Sequence, residues 1–169
     1  MANTKHAVVR TDALSGTSDS TKLASVIFYD GDNAAAIDNA QLVVLGDMLS
    51  RNVYKATAPV ATSARKDIYL TAGEELFYDQ TIAHYLTEWE NSAEKSFRCY
   101  YLPTYGGFSA TAEAFDGTPE VGKYAGFAAG STKIVVKDAA DDNTIGKITD
   151  SDVTGYGEGR YEYFYISLC

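Results

Sequence analysis

The sequence predicts a mainly β protein: a small β-barrel or sandwich with one short capping helix and an extended N-terminal arm. Three observations carry that reading. Short β-branched and aromatic runs recur between clusters of Gly, Asp and Asn, the pattern of strands separated by tight turns. The chain has 13 tyrosines among its 169 residues, and their amphipathic rings suit half-buried sheet faces. The runs also follow one another through turns rather than through helices, which argues against a doubly wound α/β sheet.

With 46% hydrophobic residues, the chain can bury a core without staples. Residues 1–22 read as the arm and residues 23–169 as a single β-rich domain, with 23–95 and 96–169 as alternative lobes. The formal net charge is −9, which disfavours a nucleic-acid partner, because phosphate binding needs clustered Lys and Arg. Lys5, Arg10 and Lys22 against Asp12 and Asp19 leave the arm at +1 and the remainder at −10.

The arm is polar apart from the apolar knot Ala7, Val8 and Val9, so taken alone it is not expected to offset its ordering entropy. It reads either as a frayed terminus or as a segment that orders on a partner, with little part in the stability of the body. MANTKHAVVRTDALSG lacks the apolar core of a signal peptide and no run approaches a membrane span, so the expectation is a soluble protein with no membrane partner.

Leu23 to Tyr29 predicts a strand stopped by Asp30, Gly31, Asp32 and Asn33; that cluster lacks the glycine and glutamate of a calcium-binding loop and reads as a solvated turn. Gln41 to Leu45 and Val53 to Thr57 follow as strands, then a loop over Ala56 to Ala64 broken by Pro59. Lys66 to Thr71 predicts a strand with Ile68 and Leu70 opposite Tyr69. Tyr78, Ile82, Tyr85, Leu86 and Trp89 form one apolar stripe at helical spacing, with Asp79 as N-cap. That helix is expected to pack across one barrel end.

Ser96 to Phe127 reads as an aromatic strand, a turn at Gly106 and Gly107, a second strand opening at Phe108 and a third from Val121. Thr132 to Lys137 is a further strand, followed by an acidic turn at Asp141, Asp142 and Asn143 and a strand through Ile145 and Ile148. Gly155, Gly157 and Gly159 alternate with other residues, which places them on one strand face. In YEYFYISL, Tyr161 to Leu168, both faces ask for cover, so this strand is expected inside a sheet or an oligomer.

Chemistry is sparse. Cys99 and Cys169 show no metal-ligand spacing and read as reduced thiols, with an interchain bridge through Cys169 as the alternative. His84, beside the apolar stripe, reads as structural rather than as the base of a Cys99 nucleophile. The carboxylate pairs Glu74–Glu75 and Glu88–Glu90 read as solvated faces rather than a glycosidase pair. Trp89 and the surplus tyrosines read as core and interface ahead of sugar-stacking platforms. No catalytic residue, cofactor or metal ligand is therefore assigned from the sequence.

The aromatic strand and glycine turn before GGFSATAEAFDG, then TPEVGKYAGF, together with MANTKHAVVRTDALSGT and KDIYLTAGEELFYDQ, resemble small head decoration, or capsid-stabilising, proteins of tailed bacteriophages. The resemblance covers nearly half the chain. It implies a non-enzymatic virion protein, assembled in the bacterial host cytoplasm, that binds the outer surface of the capsid and braces contacts between major capsid subunits. A homo-oligomer, trimer or lattice copies, is implied with it. Lys5, His6, Val8, Val9 and Arg10 of the arm are then the expected capsid interface. The alternatives are a tail-tube or head-to-tail connector component and a carbohydrate-binding module on the virion surface.

Overall fold

The computed structural model describes residues 5–14, 22–77, 84–102 and 106–169. Among these residues the chain is mainly β, with thirteen strands in two sheets. Strands β2 (Leu23–Asp30), β5 (Val53–Thr57), β4 (Leu42–Ser50), β6 (Ile68–Thr71) and β7 (Phe97–Tyr101) pair in that order, and β7 pairs back onto β2, so the first sheet closes into a five-stranded barrel. The β2–β5 pair is parallel and the other ladders of the ring are antiparallel. The Asp30–Asn33 cluster is the turn that joins β2 to the short β3 (Asn33–Ala34), with Gly31 supplying a φ of 62°.

The second sheet runs β1 (Val9–Arg10), β8 (Gly107–Thr111), β13 (Tyr161–Leu168), β12 (Thr144–Thr154), β10 (Tyr124–Gly126), β11 (Ile134–Lys137), β9 (Phe115–Asp116). YEYFYISL is thus an interior strand between β8 and β12. The outermost strands in that order have two residues each, too short to template pairing with another chain.

A small cluster holds Ala24, Val26 and Phe28 of β2, Val43, Ala56 and Cys99, with Tyr54, Tyr69 and Phe97 against it; all five barrel strands contribute, so this is the barrel interior. Small side chains recur there because five strands enclose little space. Leu42, Ile68, Leu70 and Tyr100 alternate with those residues along β4, β6 and β7, point out of the barrel and pack on Phe108, Ile145, Ile148, Phe164 and Ile166 of the second sheet. The structure is both barrel and sandwich: one wall of the barrel is also one layer of the sandwich. Tyr69 lies opposite Ile68 and Leu70, as its spacing predicts.

Three expectations change. The helical stripe shows, within the described residues, only a 3-10 turn at Leu86–Glu88; Tyr85 has extended φ and ψ of −97° and 145°. Tyr78, Asp79 and Ile82 lie outside the described residues. Gly157 to Gly159 form a 3-10 turn between β12 and β13 rather than a strand face, because Gly155 and Gly157 take positive φ of 88° and 61°. Val121 stands exposed in a turn, and the third strand opens at Tyr124.

The N-terminal segment is extended, but it docks on its own chain. Ala7 and Val8 are 1% exposed and Leu14 3%. Val9 and Arg10 pair with Ala110 and Ser109, the Val8 amide donates to Thr111 Oγ1, and the Gly107 amide donates to the Ala13 carbonyl. The expectation that the arm adds little to stability is therefore corrected: strand pairing supplies the contacts that the isolated segment lacks. Deleting residues 1–14 removes a buried valine and a buried leucine worth about 4 kcal/mol together, so the melting temperature is expected to fall by about 10 °C in a thermal denaturation scan.

Candidate interaction surfaces

Of the five residues expected at a capsid interface, Lys5 and Arg10 are exposed, His6 and Val9 are half-buried, and Val8 is enclosed by the protein's own fold. Val8 is therefore not available to a partner in this conformation. The Arg10 guanidinium lies 5.6 Å from the centre of the Tyr163 ring and 3.3 Å from Asp12. His6 Nδ1 lies 2.6 Å from Asp38 Oδ1.

Two ribbons leave the body. Past Val44, β4 pairs only with β5, and residues 46–52 of that hairpin are all exposed, including Met48 and Leu49. Past Lys147, β12 leaves β10 and continues to Thr154 on β13 alone. At the end of this second ribbon Val153 is 44% exposed and Tyr156 96%. A tyrosine with nearly its whole ring in water gains nothing for the fold.

A groove of about 510 Å³ opens beside β7, lined by Trp89, Phe97, Leu76, Glu74, Lys95 and Arg98. Trp89 meets Phe77 edge-to-face with ring centres 5.5 Å apart. Its indole Nε1 is buried without a hydrogen-bond acceptor among the described residues. Between barrel and groove lies an amide knot. Asn39 Nδ2 donates to the Gly73 carbonyl and to Glu75 Oε1, the Gly73 amide donates to Asn39 Oδ1, and Asn91 Nδ2 donates to Asn39 Oδ1 and the Ile37 carbonyl.

His84 stacks flat on Phe77 at 4.4 Å and lies 3.3 Å from Glu88 Oε2. Cys99, buried in the barrel, has its thiol pushed well above the ordinary range by desolvation, and Cys169 is exposed. Burial raises the Glu75 carboxyl, an effect partly opposed by the Asn39 hydrogen bond. The pairs 74–75 and 88–90 do not form one site: Glu74 lies 3.8 Å from Arg98, Glu75 bonds Asn39, and Glu88 accompanies His84.

No protein-family model, curated protein or solved structure matches the chain.

Two outcomes follow from the burial. A thiol reagent is expected to label one cysteine, Cys169, in the native protein and both after denaturation, read by mass spectrometry. For Glu75, a folded pKa above the unfolded one means that the buried charge costs stability above the raised value, and that this cost is relieved as pH falls to the ordinary glutamate range. Glu75→Gln, which can keep the bond from Asn39, is expected to melt above the parent at pH 7, the gap closing towards pH 4 in a pH series of melts.

Proposed function

We propose that the protein is a structural virion component that binds the outer surface of a tailed-phage capsid and stabilises contacts between major capsid subunits. The resemblance of its central and N-terminal stretches supports this reading, and so does one feature of the surface: a paired β ribbon that carries Val153 and a fully presented Tyr156 away from an acidic body. Tyrosine is a favoured anchor of protein interfaces because its ring buries large area at small entropic cost and its hydroxyl finds a partner.

The Met48–Leu49 hairpin offers a second apolar contact on the same chain. Two separated contacts suit an array, where many copies, or a trimer engaging neighbouring subunits, turn modest interfaces into high avidity. Each interface should bury about 1,000 Å² or more in total. Lys5 and Arg10 remain exposed for contact with a capsid subunit, with Val8 acting from beneath as part of the platform.

The Trp89 groove favours one further reading, a virion-surface carbohydrate-binding module, since an indole beside polar side chains is a stacking platform for a sugar ring. A tail-tube or head-to-tail connector role is the remaining alternative, and it requires closed rings in solution.

Co-sedimentation with expanded, undecorated phage heads tests the main reading. Saturable binding at a fixed ratio to the major capsid protein is expected. Tyr156→Ser should weaken it at least about tenfold while moving the melting temperature by no more than about 2 °C. No binding, with a ring-sized mass, would transfer the reading to the connector. No binding, with oligosaccharides perturbing the fluorescence of the single tryptophan, would transfer it to the sugar module.

A further inference from the structure

Three side chains far apart in sequence, His6, Asp38 and Glu90, bring a ring nitrogen and two carboxylate oxygens within 4.8 Å of one another. Their convergence is built by the backbone. Ile37 and Asn91 form an antiparallel bridge, with each amide donating to the other's carbonyl at 3.0 and 2.9 Å. In that register the residue after Ile37 faces the residue before Asn91, so Asp38 and Glu90 are opposed across the bridge. The bridge is secured from beneath by the amide knot, in which Asn91 Nδ2 bonds the Ile37 carbonyl and Asn39.

The N-terminal segment then delivers the imidazole. The His6 amide donates to the Thr87 carbonyl at 2.8 Å, and the Ala7 amide donates to Asp38 Oδ2 at 3.1 Å. Asp38 is thereby held at one oxygen, and its other oxygen faces His6 Nδ1. Opposed carboxylates repel, and Glu90 has no ion-pair partner among the described residues. A cation between them relieves that repulsion.

We propose that His6, Asp38 and Glu90 bind one divalent transition-metal ion, with zinc as the fitting case, and that the ion staples the N-terminal strand to the barrel. One imidazole and two carboxylates suit zinc and its neighbours, whereas calcium and magnesium prefer all-oxygen sets. Ligand bonds of about 2.1 Å in a tetrahedron place donors about 3.4 Å apart. Reaching that spacing needs His6 and Asp38 to part slightly from 2.6 Å and the exposed Glu90 to swing inward. Water completes the fourth position. The ion replaces the His6–Asp38 hydrogen bond by two coordination bonds, with the imidazole neutral and its proton on the nitrogen that does not bind metal.

The site is independent of the capsid reading. Its test uses untagged, chelator-treated full-length protein in a Cys169→Ser background, because the exposed thiol would compete for zinc. Calorimetric titration with zinc should give one saturable site. At a free zinc concentration about a hundredfold above the dissociation constant, the melting temperature should rise by about 5–10 °C. Glu90→Gln, a surface change that also removes the repulsion, should hold or slightly raise the metal-free melting temperature and weaken zinc at least about tenfold, and His6→Ala should weaken zinc likewise. His84→Ala should leave zinc binding unchanged. Absence of saturable binding, binding that survives Glu90→Gln, or binding lost instead in His84→Ala would each overturn the proposal.

Discussion

The structure depends on three strands that must satisfy two cores at once. In β4, β6 and β7, one set of alternate side chains closes a narrow barrel and the other set forms the wall on which the second sheet rests. Leu42 faces the sheet while Val43 faces the barrel, and Tyr100 faces the sheet while Cys99 faces the barrel. Because side chains alternate along a strand, a slip of one residue in any of these ladders would exchange the two sets. In β4 or β7 the slip would put Leu or Tyr where Val43 or Cys99 sits in the barrel, and the smaller residues would leave voids in the sandwich. Register is therefore specified from both sides, and the barrel and the second sheet stabilise one another.

The N-terminal strand shows how a local reading goes astray. Judged on residues 1–22, the apolar content is too low to order the segment. The missing quantity is an acceptor surface: β8 presents an unpaired edge, and the cost of fixing a few residues is offset by ladder bonds and by Ala7 and Leu14 joining the main core. The same docking covers β8, so the sheet does not end on a long bare edge. That edge could not be foreseen, since which strand lies outermost is set by pairings between residues a hundred positions apart.

Strands were legible where the period-two signal was strong. Leu23–Asp30, Val53–Thr57 and Tyr161–Leu168 lie where their side-chain patterns place them, and the two-sided apolarity of YEYFYISL led to its interior position. The stripe through Tyr85, Leu86 and Trp89 read as a helix, whereas aromatic residues at that spacing also satisfy a loop that packs rings edge-to-face, as Trp89 does with Phe77. The alternating glycines at 155, 157 and 159 read as a strand face, and the positive φ of Gly155 and Gly157 makes them turn positions instead, which alternation alone does not encode. The surfaces were less legible than the strands. The pattern of β12 marks a strand but does not reveal that its second half outruns its neighbours to become a ribbon, and the His6–Asp38–Glu90 cluster depends on the Ile37–Asn91 bridge, which no local motif encodes.

The two kinds of surface feature differ in how the fold holds them. A two-stranded ribbon alone is marginal in water, yet β12 and β13 stay paired from the ribbon, across a bulge between Ile148 and Asp150, into the centre of the seven-stranded sheet. Tyr156 is therefore carried at the end of an element whose base is among the most deeply buried parts of the molecule, Ile148 and Ile166 being fully enclosed. An anchor held in this way loses less freedom on binding than one on an unpaired loop. The N-terminal strand is held by a ladder of two residue pairs, by further bonds of Val8 and Ala13 to β8 and by the contacts around Asp38, and its first described residues lie at the end of that support. A strand with weak local support gains most from an added bond at its end, which is where His6 stands.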